Sequence, residues 1–398
     1  MRLARRISRI KPSATLTINA KAKALKQSGV NIINFGVGEP DFPTPEPICD
    51  AAVKSIRDGQ TRYTAVGGID ELKEAVSRLI KADYGLDYGR DNVLISCGGK
   101  HALYNLMQTV LDPGDEVIIP SPYWVSYPDM TELVDGVPVF VPCTEKNGFK
   151  MLPEDLERAI TPKTRMLILN SPSNPTGKYY GAQDLRKLAD VLLRHENVLV
   201  ASDDIYYRIL FGGREWVSLG MVEEKLRERI FIVNGVSKSY AMTGWRIGYL
   251  VGDSDVVKAA TKVQSQVTSN PSSISQWAGV EALNGNQKQV NDMTKVFEKR
   301  SRYVLERISK VPGVTCPEPD GAFYVFPNFS ACFGKKAGGK TIKGSLDLAG
   351  YLMEAAHVAV VPGEAFGEDR CLRFSYALSM PEIEQGFDAV EEAMAKLG

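Results

Sequence analysis

Histidine is scarce in this 398-residue chain, with three in all (His101, His195 and His357), and no two stand four apart. Its six cysteines (Cys49, Cys97, Cys143, Cys316, Cys332 and Cys371) are scattered without a Cys-x-x-Cys pair. These absences argue against a zinc or other metal site and against a disulfide scaffold. Net charge is missing too: 48 basic and 48 acidic side chains balance, which argues against a nucleic-acid partner held by a strongly basic field. Nowhere does an uncharged apolar run approach the roughly 18–20 residues of a membrane span. No acidic residue precedes Glu39, so that Arg2, Arg5, Arg6 and Arg9, interleaved with Leu3, Ile7 and Ile10, imitate an Arg-rich targeting helix. No apolar signal core follows them, and the segment reads as a short amphipathic surface helix. The expectation is a soluble, cytoplasmic protein without a membrane or nucleic-acid partner.

What is present is an ordinary globular composition, 44% hydrophobic and 24% charged, with 35 Gly and 22 Pro in no periodic arrangement. The length allows two or three domains. From about residue 70, helical patterns (Leu72 to Ile80, Ala102 to Leu111, Leu185 to Leu193) alternate with short β-rich runs. Those runs are Val93 to Ile95, Glu116 to Ile119, Met166 to Leu169, Val198 to Val200, Ile230 to Val233 and Arg246 to Val251. Alternation of this kind predicts an α/β domain around a mostly parallel sheet, and continuous apolar runs fit strands covered on both faces. After Asn284-Gly285-Asn286 the pattern changes to a long charged helix through about Ile308, then Ala322 to Phe326, Val358 to Val361 and a last helix from Pro381. That predicts a smaller α+β domain. The division is an N-terminal segment 1–44 packing with the small domain, a large domain 45–285 and a small domain 286–398. The most linker-like stretch is Gly334 to Gly344.

Two glycine-rich turns invite comparison. Gly98-Gly99 stands between a predicted strand and a helix with Ala102, Leu103, Leu106, Met107 and Val110 on one face, where backbone N–H groups and the helix dipole bind phosphate. A plain βα turn accounts for the same pair of glycines. Gly334-Lys335-Lys336-Ala337-Gly338-Gly339-Lys340-Thr341 matches the phosphate-loop pattern letter for letter. It lacks the strand before and the helix directly after, so it reads as a solvated basic loop. Three further segments end strands in polar groups: Asn170 to Gly177, Ser202 to Tyr206 and Asn234 to Arg246. Each has an ordinary explanation as turn, cap or solvated charge. In an open α/β sheet they converge at the carboxyl edge, bringing together an amine, a carboxylate, a phenol, an amide and a guanidinium. That set suits a lysine Schiff base to pyridoxal phosphate with an acid on the pyridine nitrogen.

The motifs Asn174-Pro175-Thr176-Gly177, Ser202-Asp203-Asp204-Ile205-Tyr206 and Ser237-Lys238 through Met242, Gly244, Arg246 and Gly248 closely resemble those of class I aminotransferases of pyridoxal-phosphate fold type I. The resemblance runs from about Lys11 to the C-terminus. It is nearest to the aspartate aminotransferase subgroup, through Lys11 to Thr15, Gly38-Glu39-Pro40-Asp41, Gly98-Gly99-Lys100 and Ser121 to Tyr127. It implies a large domain with a mostly parallel sheet plus a smaller α+β domain, pyridoxal 5′-phosphate as cofactor, amino acids and 2-oxo acids as substrates, and a homodimer with shared active sites.

By this resemblance Lys238 is the Schiff-base lysine and the proton shuttle, Asp203 the partner of the pyridine nitrogen, Tyr206 and Asn174 donors to the ring oxygen, and Trp124 the stacking face. Gly98, Gly99, Lys100, Arg246 and Ser237 hold the phosphate, with Tyr63 entering from a second subunit. Gly235 departs from the family, where Ser is frequent, and puts one phosphate contact in doubt. Arg373 is implied to pair with the α-carboxylate, with Gly38, Trp124 and Asn174 beside it. Lys100 is associated with the distal carboxylate of aspartate or glutamate; the plainer reading is that it only neutralises phosphate. Lys11 and Thr15 occupy positions linked in relatives to prephenate transamination. The resemblance therefore implies aspartate:2-oxoglutarate transamination by a ping-pong mechanism. The alternatives are a prephenate aminotransferase, alone or in addition, a β-eliminating C–S lyase, and a non-catalytic module retaining the fold. The last would be marked by loss of Lys238 or Asp203, and both are present. Cys97 and His101, flanking the glycine turn, read as packing residues.

Overall fold

The computed structural model describes residues 3–10, 12–337 and 339–397. Its largest sheet has seven strands: β1 (Val93–Ser96), β2 (Glu116–Ser121), β3 (Val137–Pro142), β4 (Thr164–Asn170), β5 (Leu199–Asp203), β6 (Ile230–Gly235) and β7 (Gly248–Val251). Their order is β1-β7-β6-β5-β4-β2-β3. The pairs from β6 to β3 are parallel, and β7 runs antiparallel to both of its neighbours. The mostly parallel sheet expected from the alternation is therefore what forms. Helices that bear on the site are α1 (Ala14–Gln27), α2 (Gly99–Val110), α3 (Ala182–Leu192), α4 (Lys288–Ser309), α5 (Ser345–Ala355) and α6 (Met380–Ala395).

Alternation along each strand sends neighbouring residues to opposite faces. Met166 and Ile168 of β4 meet Leu103, Leu106 and Met107 of α2 on one face. Leu167 and Leu169 meet Leu185, Leu188 and Leu192 of α3 on the other. Both faces are covered, which is why the runs read as continuously apolar. A second unit holds the short antiparallel strands β8 (Tyr324–Val325), β9 (Val361–Pro362) and β10 (Leu372–Ser375), ordered β9-β10-β8. Its core joins Phe297, Val304 and Ile308 of α4 to Leu348 and Leu352 of α5, Ile383, Phe387 and Val390 of α6, and Phe35. The N-terminal segment enters this unit by pairing Ile33–Asn34 in parallel with Val358–Ala359.

Several local expectations are corrected. The N-terminal amphipathic helix is a single 3-10 turn, Arg5–Ser8. A side-chain cap is available only farther on, where Ser13 accepts from the Leu16 amide and starts α1. The run Val358 to Val361 is divided between two sheets, because its halves pair with Ile33–Asn34 and with β10. Strand β3 went unpredicted since it carries Pro138 and Pro142; an edge strand accepts proline because one side needs no ladder donors. Within the linker-like stretch, Lys336–Ala337 and Lys340–Thr341 form an antiparallel hairpin. The phosphate-loop lookalike is not a cradle: the first turn of α5 already receives Asp369, whose Oδ1 accepts from the Ser345 amide at 2.9 Å and its hydroxyl at 2.7 Å. A carboxylate of the chain itself occupies the place a phosphate would need. Gly338 lies outside the described residues.

The carboxyl ends of β4, β5 and β6 lie side by side, with Asn170 opposite Asp203 and Asp203 opposite Val233. The start of α2 packs so closely on β7 that a Cβ at Gly248 would lie 2.2 Å from the Gly99 nitrogen. Gly350, within α5, has nothing within 4 Å of that position. Denaturant titration should therefore separate two identical substitutions. Gly248→Ala is expected to lower stability by about 1–3 kcal/mol or more through overpacking, and Gly350→Ala to raise it by about 0.5–1 kcal/mol through helix propensity.

Candidate active site

A cavity of about 460 Å³ opens at the carboxyl edge of the large sheet. Its floor is a backbone cradle. After β1 the chain turns through Gly98 at φ +93°, where a Cβ would stand 2.4 Å from Arg246 Nη2. Arg246, itself at φ +56°, donates from Nη2 to the Cys97 carbonyl at 3.2 Å and from Nη1 to the Thr243 carbonyl at 3.0 Å. The guanidinium is thus held over the positive end of α2, a combination suited to an anion. Ser237, 6% exposed, lines the same cavity. Gly235 has no room for a side chain, since a Cβ would lie 2.8 Å from the Ile247 carbonyl oxygen.

Lys238 follows β6 and projects into the cavity, where Nζ donates to the Gly38 carbonyl at 2.5 Å. Burial lowers its pKa to about 8, and Arg373 and Arg246 push the same way against Glu39 and Asp203. A minor fraction of free amine, about a tenth at pH 7, therefore exists near neutrality, far more than an ordinary lysine offers. Asp203, at the end of β5 and 7% exposed, accepts from the Tyr127 hydroxyl at 2.6 Å. Burial raises its pKa to about 6, opposed by the bonds from Tyr127 and the Ile205 amide and by Lys238. Asn170 joins two of the strand-end segments: it donates to the Asp203 carbonyl at 2.8 Å and accepts from the Asn174 amide at 2.9 Å.

Opposite stands Arg373 on β10, 2% exposed. It donates from Nη1 to Asn174 Oδ1 at 3.0 Å and from Nη2 to the Gly36 carbonyl at 2.8 Å, and lies 4.6 Å from the Tyr324 ring centre and 5.1 Å from that of Phe366. Its buried Nε has no partner among the described residues. Burial lowers the pKa of this guanidinium, yet a group so basic stays charged. A buried cation with neutral partners and a spare donor is a receptor for a planar anion. Across the cavity Lys100 Nζ lies 4.9 Å from the Trp124 ring centre. Burial and Arg246 both lower its pKa. Tyr206 and Tyr324 share a hydrogen bond of 2.9 Å, and burial raises both pKa values, so both remain neutral phenols.

Of the residues singled out from the sequence, the cavity is lined by Thr15, Gly38, Gly99, Lys100, Trp124, Asn174, Asp203, Tyr206, Ser237, Lys238, Arg246 and Arg373. Gly98 lies just beneath, against Arg246. Tyr63 is not among the lining residues and is 92% exposed. Lys11 lies outside the described residues. Tyr127, Tyr324 and Glu39 were given no role in advance. Tyr127 stands within the quoted Ser121 to Tyr127 motif, three residues after Trp124, a spacing that in a helical turn shares one face. Tyr324 sits in a run read as core, Phe323-Tyr324-Val325, and only its pairing partners reveal it. Glu39 accepts from Thr243 Oγ1 at 2.7 Å at the cavity wall.

Linkage gives this site a pH signature. Between about pH 8 and the ordinary lysine value of 10.5, the unfolded chain holds a proton at residue 238 that the folded chain has released. Lys238 therefore makes stability rise with pH in that window and costs on the order of 3 kcal/mol below it. In ligand-free protein Lys238→Met should be the more stable form at pH 7, and its advantage should shrink as denaturation is repeated toward pH 10.

Residues 30–390 match the family model of aminotransferase class I and II. The chain is 46% identical to the aspartate aminotransferase of Geobacillus stearothermophilus over 99% of both proteins. It is 49% identical to a probable aspartate/prephenate aminotransferase of Rickettsia felis, over 98% of this chain and 96% of that one. The crystal structure of the aspartate aminotransferase from Rhizobium meliloti superposes over the whole of both chains with a TM-score of 0.97 at 46% identity. With Lys238, Asp203 and Arg373 in one cavity and the family model matched over residues 30–390, the chain belongs to the class I and II aminotransferases.

Proposed function

We propose that this aminotransferase moves an amino group between L-aspartate and 2-oxoglutarate, giving oxaloacetate and L-glutamate by a ping-pong mechanism, with pyridoxal 5′-phosphate as cofactor. The observation that carries the reading is the buried Arg373, with an unpartnered Nε, facing the same cavity as Lys238, Asp203 and Lys100.

The residues present fit the cofactor. The amides of Gly99 and Lys100 with Ser237 and Arg246 would hold its phosphate, in a cradle that a Cβ at Gly98 would fill; the Gly98 amide expected among these donors is spent on the Ser96 carbonyl at 2.7 Å. Asp203 would take the ring nitrogen, Tyr206 and the amide NH2 of Asn174 the ring oxygen, and Trp124 a ring face. When bound, the cofactor supplies an electrophilic carbon for amines and a conjugated ring that takes up electrons from an amino acid's Cα. Lys238 is the base that holds and returns the Cα proton, and its lowered pKa keeps the amine available. Asp203 retains a proton between itself and the ring nitrogen; the Tyr127 bond keeps its carboxylate oriented. Arg373 binds the α-carboxylate in a bidentate pair. Lys100, fixed over Trp124, is within the same cavity for a second carboxylate, which favours four- and five-carbon dicarboxylic substrates.

A homodimer with shared sites is supported by Tyr63, which stands 92% exposed on the single chain, as an aromatic awaiting a partner would. Prephenate is a second amino acceptor in this reading: Thr15 lines the cavity, and the Rickettsia felis relative carries that substrate in its name.

L-Aspartate, L-glutamate, L-alanine and arogenate, each added alone to the holoprotein, should be compared by cofactor absorbance. A shift with aspartate and glutamate but not alanine is expected, and a shift with arogenate adds prephenate. No shift with aspartate while another amino acid gives one would remove the assignment of Lys100. Separately, Arg373→Lys should lower kcat/KM for aspartate by about 100-fold, on the order of 3 kcal/mol, because an ammonium cannot reproduce the planar fork. Lys238→Ala should abolish turnover, and full turnover without this lysine would overturn its role.

A further inference from the structure

Arg373 is connected to the far wall of the cavity by a chain of amides. Its Nη2 donates to the Gly36 carbonyl at 2.8 Å; the Gly36 amide donates to Asn34 Oδ1 at 2.9 Å; and Asn34 Nδ2 donates to Asn19 Oδ1 at 3.0 Å. Asn19 belongs to α1, and Ser13, Thr15, Leu16 and Asn19 together form one wall of the cavity. Ala22 is the buried residue of that helix, and its apolar contacts run from Ala22 and Leu25 to Ile32, Met353 and Ala359 and from Ile18 to the cluster of Phe326, Val361 and Phe366. Apolar contact of this kind is non-directional and tolerates sliding, whereas a hydrogen bond fixes distance and angle. The fit is close: a Cβ on Gly36 would come within 3.0 Å of Asn34 Oδ1, 3.3 Å of Asn19 Oδ1 and 3.4 Å of Ile18 Cγ2.

We infer that Asn19 and Asn34 are positioning residues whose side-chain hydrogen bond registers α1 to the backbone holding Arg373. The Gly36 carbonyl that orients the guanidinium is thereby held in place against the helical wall. The inference rests on the dicarboxylate reading above and adds to it the residues that hold Arg373 in register for its carboxylate. Neither amide touches the reacting atoms; both act through Gly36.

The test is titration of holoprotein with succinate, a four-carbon dicarboxylate without an amino or oxo group, followed by cofactor absorbance. Asn19→Ala should raise the succinate Kd about fivefold, as expected for one neutral hydrogen bond, and Asn34→Ala at least as much, because it also takes the acceptor from the Gly36 amide. The double variant should be no weaker than the weaker single one, because both remove the same bond. Gly36→Ala should raise Kd in the same direction. The cofactor spectrum before succinate should not move, and with aspartate the loss should fall on KM rather than kcat. Asn19 is partly exposed on a helix, so its variant decides the question even if those at Asn34 or Gly36 fail to fold. Unaltered Kd in Asn19→Ala, an additive double variant, or a loss confined to kcat would overturn the role of the amide pair. If the unaltered protein itself binds no succinate, the dicarboxylate reading fails and the inference falls with it.

Discussion

A guanidinium buried to 2% exposure with no carboxylate against it, among the described residues, is the constraint around which the site is organised. Taking such a charge out of water is costly unless its donors are met and its faces are covered. Here the donors are met by an amide oxygen from Asn174 and a backbone carbonyl from Gly36, and the faces by Tyr324 and Phe366. Those groups come from the strand-end turn after β4, the N-terminal segment, and the small unit. Neither domain alone can house Arg373. The N-terminal segment therefore helps to build the cavity, tied to the small unit by pairing with Val358–Ala359 and to the cavity residues Arg373 and Lys238 through Gly36 and Gly38.

Charges across the cavity are set against one another at the expense of stability. Burial disfavours the ammonium of Lys238 and the carboxylate of Asp203 alike, giving a lysine near pH 8 and an aspartate near pH 6. Each shift brings a proton into the range in which it can be exchanged near neutrality. Next to Asp203, Asp204 is buried as well, and burial holds its pKa far above the usual carboxylate range. It accepts from Ser202 Oγ at 2.7 Å and Tyr84 Oη at 3.1 Å. The charge of Asp203 pushes in the same direction as burial, against the bonds from Ser202 and Tyr84. Polar groups so placed are a poor choice for a core and a good one for chemistry.

The anion cradle shows the same economy in the backbone. Gly98, Gly235 and Gly248 have no room for a Cβ, because Arg246, the Ile247 carbonyl and the start of α2 approach them directly. An arginine laid on a bare backbone turn presents charge and amides together, which a turn with side chains would hold apart. At Gly235 the space a Cβ would take belongs to the neighbouring strand.

The strand-end motifs were legible in the sequence because their residue types are rare in combination and their positions follow continuous apolar runs; Lys238, Asp203, Asn174 and Arg246 could be named from them. The parallel sheet was legible for a similar reason, since β4, β5 and β6 carry their periodicity within a few consecutive residues. What the sequence did not disclose are contacts between segments far apart: Tyr127 with Asp203, Tyr324 with Tyr206 and Arg373, and Asn19 with Asn34 and Gly36. The run at residues 334–341 matches the phosphate-loop pattern yet reads as a solvated basic loop from its context, and the structure pairs Lys336–Ala337 with Lys340–Thr341 there and sets Asp369 on the first turn of α5. The sequence by itself determined which groups are available at each strand end, because local periodicity and turn chemistry are written in neighbouring residues. Tertiary structure decided which of those groups meet, their protonation and the width of the cavity, because burial and hydrogen bonding depend on partners contributed by distant parts of the chain.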